Sequence, residues 1–216
     1  MSEQAVLRTP DASGSPHDSA VPLIGGHPVL DFANTVAWRL DTARAADRVH
    51  GFEAWVRWAV ASGLLTADRA EALLRSETAD SASTRAAIAA LTDLRATLWP
   101  LLDALVDGEE PPAEEWEALR RSLLQARESA TLPPAFPLRW QSGTDRLGDL
   151  SHALALRAEE LLGGDGLSRV RRCAGPGCGW FFLDRSRSGT RRWCSSDDCG
   201  NRDRARRHYS RTRQSG

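Results

Sequence analysis

All four cysteines of the chain lie within 27 residues, in the pattern C-x4-C-x15-C-x4-C: Cys173, Cys178, Cys194 and Cys199. Two close pairs separated by a loop suit a tetrahedral metal ion, because each pair can present two thiolates from one tight turn. Four thiolates leave no open coordination position. The pattern therefore predicts one structural zinc ion, which would supply much of the folding free energy of so short a segment.

Apart from four unrelated thiols, the cysteines have two alternatives to a zinc site. The first is a pair of disulfides, which a reducing compartment disfavours. Residues 1–20 lack the apolar core of a secretory signal, and no apolar run approaches the roughly 18 residues that a membrane span needs. We therefore expect a cytoplasmic protein without membrane contact. The second alternative is an iron–sulfur cluster held by the same four thiolates.

The net charge of −1 conceals two halves of opposite sign. Residues 169–213 carry 13 Arg against four Asp, a net charge of +9, whereas residues 1–168 carry 15 Arg against 25 acidic residues. A basic module behind an acidic body is the pattern expected of a protein whose tail meets a polyanion. The chain contains no lysine. Only the clustering of the arginines is therefore informative, because arginine is the basic residue everywhere in the sequence.

Before the cysteines, the sequence predicts a disordered tail at 1–20 and a mainly helical domain with a few short strands at 21–164. Strands are expected within Val21–Leu30 and Pro133–Gly143, paired with each other. We expect Asp31 and Asp145 to cap helices, and Pro100 to kink or divide a long one. The fold class is thus α+β, with a small treble-clef-like zinc finger at 169–213.

Within the finger, the helix after Cys199 should carry two arginine stripes. Its other face, with Asn201, is expected to pack on the metal knuckle, where Asn201 would brace the turn rather than contact a base. The candidate phosphate contacts are Arg191, Arg192, Arg202, Arg206 and Arg213, with Arg204, Arg207 and Arg211 in the second stripe.

The helical domain offers one candidate polar pocket and no catalytic motif. His27, Asp31, Asn34 and Thr35 could line a small ligand site, although helix capping and turn chemistry explain them more simply. Residues 21–162 contain none of the motifs GxGxxG, HExxH or GxSxG. We therefore expect a binding protein rather than an enzyme.

Two stretches carry a resemblance to known families. The run Arg-Arg-Trp193-Cys194-Ser-Ser-Asp-Asp-Cys199-Gly-Asn-Arg202, with the upstream Cys173 and Cys178, resembles the CGNR zinc finger family. The segment Leu30–Thr35 resembles the opening of the ABATE domain that precedes this finger. The resemblance implies a stress-response transcription regulator of bacteria, with DNA binding by the finger and ligand sensing by the front domain.

The sequence therefore predicts a zinc-dependent DNA-binding regulator. The alternative is an adaptor whose finger binds RNA or an acidic protein. Because a single finger binds DNA weakly, affinity favours a homodimer. A small-molecule effector would act through the front domain.

Overall fold

The computed structural model describes residues 21–214, so the tail predicted at 1–20 lies outside the described residues. The described elements, in chain order, are α1 (Pro28–Ala33), β1 (Val36–Ala37), β2 (Ala46–Asp47), α2 (Gly51–Ala61), α3 (Ala67–Ser76), α4 (Ala82–Asp107), α5 (Ala113–Ser129), α6 (Gly148–Leu162), β3 (Val170–Arg172), β4 (Phe181–Leu183) and α7 (Asn201–Gln214). A mainly helical first part followed by a small cysteine-bearing part confirms the predicted fold class. No described helix combines the length and apolar character needed to cross a membrane.

The core of the front part is built on α4, the longest of the described helices. Its apolar positions recur at helical spacing and face α5 and α6, so one side of the helix is buried along most of its length. The rings of Phe32, Trp55 and Trp58 meet with centroids 5.7–5.8 Å apart, and this aromatic cluster joins α1 to α2. Pro100 does not divide α4, which continues through it to Asp107.

Helix ends in this part follow local chemistry that the sequence displays. The hydroxyl of Thr66 accepts a hydrogen bond from the Arg69 N–H at the start of α3. Ser81 caps α4 in the same way through the Thr84 N–H. After α2, Gly63 adopts a φ of +75°, a left-handed conformation that glycine accepts without strain.

The predicted strands within Val21–Leu30 are wrong. The segment instead leads into α1, which begins at Pro28, and its N-cap is His27 rather than Asp31. A proline in the first turn has no N–H to lose there, so the helix can start four residues earlier than expected. The Asp31 carboxylate lies inside the helix and accepts a hydrogen bond of 2.7 Å from the Gly25 N–H.

The second predicted strand, within Pro133–Gly143, is also wrong. The segment forms a loop closed by one bridge between Thr131 and Gln141, with no pairing to the early segment. Prolines that lack an N–H prevent a longer ladder. The side chain of Phe136 is 98% exposed, so alternation of apolar residues here does not mark a buried face. Asp145 does not cap α6 either: its own N–H donates to the Asp149 carboxylate.

The cysteine-bearing part rests on an antiparallel hairpin. Strands β3 and β4 pair in the register Val170↔Leu183 and Arg172↔Phe181. The second short ladder, β1 with β2, belongs to the front part and pairs Val36 with Asp47.

Hydrogen bonds from the front part cover the outer edge of β4. Fully buried Asn34 accepts from the Phe181 N–H and donates to the Phe181 carbonyl, both at 2.8 Å. The Leu183 N–H donates to the Gly25 carbonyl at 2.8 Å. The Trp180 indole N–H donates to the Val36 carbonyl at 2.7 Å. The front part therefore protects a strand edge that would otherwise present unpaired backbone groups.

Candidate metal centre and basic helix

The four cysteine sulfurs converge on one point between the β3–β4 hairpin and the start of α7. Their Sγ atoms all lie within 4.8 Å of one another, with Cys178 to Cys194 at 3.8 Å and Cys194 to Cys199 at 3.7 Å. Four sulfurs at about 2.3 Å from a tetrahedral zinc ion would be separated by about 3.8 Å. All four residues are buried and none forms a disulfide. The thiolate set therefore fits one zinc ion with a closed coordination shell.

Glycine allows the first pair to approach the second. A Cβ added to Gly175 would lie 2.9 Å from the Cys199 Sγ, closer than real side chains come. Gly177 adopts a φ of +73°, and the Cys178 N–H donates to the Gly175 carbonyl at 3.0 Å. Glycine is thus required at 175 by the space available and favoured at 177 by the backbone conformation.

Hydrogen-bond donors to the cysteine sulfurs offset the negative charge of the thiolates. A zinc ion with four thiolates carries a net charge of −2, which burial disfavours unless hydrogen bonds stabilise it. The Cys173 Sγ accepts from the backbone N–H groups of Gly175 and Cys194, at 3.4 and 3.3 Å. The guanidinium of Arg202 donates to the Cys199 Sγ at 3.0 Å.

The helix α7 extends away from this site. Among elements within the described residues, it contacts chiefly the turn Ser196–Gly200 that carries Cys199. From Arg204 to Thr212 every residue of the helix is exposed. The helix is therefore anchored at its first turn only.

Comparison with known proteins gives two matches. The family model described as "Putative stress-induced transcription regulator", ABATE, matches residues 26–165, and the model described as "CGNR zinc finger" matches residues 169–212. The chain belongs to the ABATE family. The first match covers more than half of the sequence, and the second contains all four cysteines. No curated protein matches the chain.

Two of the arginines predicted to contact phosphate are half-buried and bind groups inside the CGNR finger. Arg191 donates to the Trp193 carbonyl at 2.9 Å and to the Cys194 carbonyl, and stacks over the Phe182 ring. Arg202 forms an ion pair of 2.9 Å with Asp198 in addition to its bond to the Cys199 sulfur. These contacts brace the metal knuckle.

The other predicted arginines fall into two groups. Exposed side chains belong to Arg192, Arg204, Arg206, Arg207 and Arg211. The side chain of Arg213 lies outside the described residues, although its backbone continues α7. Asp203 accepts ion pairs of 2.7 Å from both Arg206 and Arg207, which orders these two guanidinium groups on the helix surface.

The prediction for Asn201 is half right. Its side-chain amide donates to the Asp197 carbonyl at 2.7 Å, which braces the turn between Cys194 and Cys199 as expected. The face of α7 that bears it does not pack on the knuckle, however, since Ala205, His208 and Thr212 are exposed. Helical spacing identifies the less charged face of a helix. It does not show whether the helix extends beyond the part of the protein on which that face could pack.

The residues of the predicted ligand pocket are used for packing inside the ABATE domain. Asn34 and Thr35 are fully buried and Asp31 is 6% exposed. The Thr35 hydroxyl donates to the Phe32 carbonyl and accepts from Arg95, and His27 caps α1. Each of these side chains therefore has a structural partner, in agreement with the simpler interpretation from capping and turn chemistry.

Sequence reasoning missed the residues of the ABATE domain that hold the finger in place. Trp38, directly after β1, stacks under the Arg202 guanidinium at 4.3 Å and under that of Arg44 at 3.3 Å. Arg39 forms two hydrogen bonds of 2.8 Å with Asp103 and a third of 3.3 Å with the Gly179 carbonyl. A Trp-Arg pair in a loop carries no signal for such roles, because their partners lie far away in sequence.

Proposed function

We propose that this ABATE–CGNR protein binds double-stranded DNA through α7 and thereby acts as a zinc-dependent regulator. The observation that supports this proposal best is the protruding helix itself. It has no packed face beyond its first turn, and it bears four exposed arginines within eight residues: Arg204, Arg206, Arg207 and Arg211. A solvated helix rarely concentrates so much charge of one sign, whereas a duplex backbone neutralises it.

The dimensions of α7 suit a DNA groove. Its 14 residues span about 21 Å, and an α-helix fits the width of the major groove of B-DNA. Arg192 lies beside the helix, because its guanidinium and that of Arg207 flank the Trp193 ring at 5.2 and 6.0 Å. Exposed arginines on the helix and on the preceding turn can therefore contact successive phosphates on one side of a duplex.

The metal would act here by fixing geometry. Zinc held by the four cysteines supplies the folding free energy that ties the start of α7 to the β3–β4 hairpin. Arg202 and Asn201 add direct hydrogen bonds between the first turn of α7 and the metal loop. The metal site and these hydrogen bonds thus fix the direction of α7, although residues 204–212 of the helix are exposed.

Salt titration of duplex binding tests the proposal. Five exposed arginines predict that log K falls against log salt with a slope of about −4.5. Replacing Arg204, Arg207 and Arg211 by glutamine should reduce the magnitude of this slope by about 2.7. The matched control replaces three exposed front-domain arginines, Arg57, Arg75 and Arg146, by glutamine and should leave the slope unchanged.

Competition at fixed salt separates duplex DNA from the other polyanions. Unlabelled duplex should displace a labelled duplex more effectively than single-stranded RNA or an acidic protein does. Preferential displacement by RNA or by the acidic protein, or a slope near zero for the unmodified protein, would contradict the proposal.

A further inference from the structure

The ABATE domain exposes an apolar face that no described element covers. On α5, Trp116 is 52% and Leu124 is 49% exposed. Trp116 also lines a groove between α5 and α6, together with Leu119, Leu123 and Leu162. A tryptophan half open to water at the mouth of an apolar groove is typical of a contact surface, since its burial would remove a large apolar area from water.

The exposed apolar side chains continue beyond the end of α5. In the loop that follows, Leu132, Phe136 and Leu138 are 41%, 98% and 63% exposed. The loop is held beside the helix, because the Arg127 guanidinium lies 5.9 Å from the Trp140 ring. Together, α5 and this loop form an exposed surface much richer in large apolar side chains than the rest of the front domain.

The charges on α5 indicate what covers this face. Its first half, residues 113–119, carries three glutamates and no arginine. Its second half, residues 120–129, carries three arginines and one glutamate. A uniformly acidic or basic partner would be repelled by one of the two halves. A second α5 lying antiparallel places each acidic half against a basic half, so the helix is complementary to itself.

We propose that α5 and its groove against α6 form a two-fold interface between two copies of this chain. With the axis near Arg121, at the middle of the helix, Trp116 lies about 7.5 Å from the axis along α5. It then falls opposite residues 124–127 of the other copy. There it can cover Leu124 of the other copy, so that two half-exposed apolar side chains leave water together.

Charge reversal on this face tests whether α5 forms the interface. One variant carries Glu114→Arg and Glu117→Arg, which makes both halves basic. The other carries Arg120→Glu and Arg121→Glu, which makes both halves acidic. Each variant alone should be monomeric, and an equimolar mixture should regain the dimer, because every half then meets the opposite charge. An interface that does not include α5 would not give this pattern.

Sedimentation velocity from about 1 to about 100 µM, a range suited to weak homodimers, gives the readout on the zinc-loaded full chain. The unmodified protein should move from monomer to dimer across this range. The control reverses an exposed pair on α2, with Glu53→Arg and Arg57→Glu, and should dimerise like the unmodified protein.

Three results would overturn the proposal. The first is an unmodified protein that stays monomeric throughout the concentration range. The second is a reversed variant that still dimerises, and the third is a mixture of folded variants that does not recover the dimer. Circular dichroism and melting temperature establish that each variant is folded. The proposal stands apart from DNA binding, since no nucleic acid enters the measurement.

Discussion

Replacing Asn34 by alanine should weaken the attachment of the finger to the front domain. The expected result is a measurable loss in the free energy of unfolding. The Asn34 side chain satisfies both backbone groups of Phe181, and neither residue is more than 1% exposed. Each buried backbone group left without a partner costs about 1–3 kcal/mol. The two together would cost about 2–6 kcal/mol. Water that enters the vacated space recovers part of this, so we expect a loss of about 3 kcal/mol, or about 150-fold in the unfolding equilibrium.

Urea unfolding of the zinc-loaded protein, followed by tryptophan fluorescence, measures this loss. The matched control is Asn201→Ala, the other asparagine of the chain. Asn201 is exposed; its amide donates to the Asp197 carbonyl and accepts from the exposed Arg204 guanidinium. Because water can replace both partners, its loss should cost about 1 kcal/mol or less. Hydrogen exchange supplies a local reading, because the Phe181 amide should lose protection only in the Asn34 variant.

A small effect would refute the reasoning. If Asn34→Ala costs no more than Asn201→Ala, or if the Phe181 amide stays protected, the two hydrogen bonds do not hold the finger on the front domain. A change in the denaturant slope would instead indicate that the finger separates before the rest of the chain unfolds.

Two further changes test the buried carboxylate and the metal knuckle. Burial raises the pKa of Asp31 to about 6, so stability should fall by up to about 3 kcal/mol as the pH rises from about 4 to about 6. Asp31→Asn copies the protonated carboxyl and should remove this slope in chemical denaturation; parallel pH profiles for the two proteins would contradict the assignment. Gly175→Ala places a Cβ 2.9 Å from the Cys199 sulfur and should weaken zinc retention against a chelator at least tenfold. The control is Gly166→Ala, which should retain zinc normally, because its Cβ meets open space and its φ of −75° is ordinary.

The parts of the molecule that the sequence predicted well are those set by local rules. The four thiolates converge because their number and spacing leave few other arrangements, and α4 buries the face that its leucines mark. The role of Asn34 could not be predicted, since its partner Phe181 lies 147 residues away. Arg202 shows a different obstacle: the same guanidinium suits a phosphate or a thiolate, and only the fold shows which of them it meets.

The loop expected to form a strand, Pro133–Gly143, shows a third obstacle. Alternating apolar residues normally mark a half-buried strand. Here the same pattern accompanies side chains that lie largely in solvent, Phe136 above all. A sequence pattern shows which residues would benefit from burial, but it does not show whether their own chain or another one buries them.

Because α7 is anchored at one end only, a small tilt at its first turn produces a larger displacement at its far end. Its pivot is the turn at Cys199, and Trp38 of the ABATE domain presses on the Arg202 side chain beside that pivot. With an arm of about 21 Å, a tilt of about 10° at the pivot moves the far end of the helix by about 4 Å. That travel is similar to the rise of about 3.4 Å per phosphate along the axis of one DNA strand. In the proposed complex with DNA, small movements of the loop that carries Trp38 would thus be magnified at the distal arginines into a change of register on the duplex.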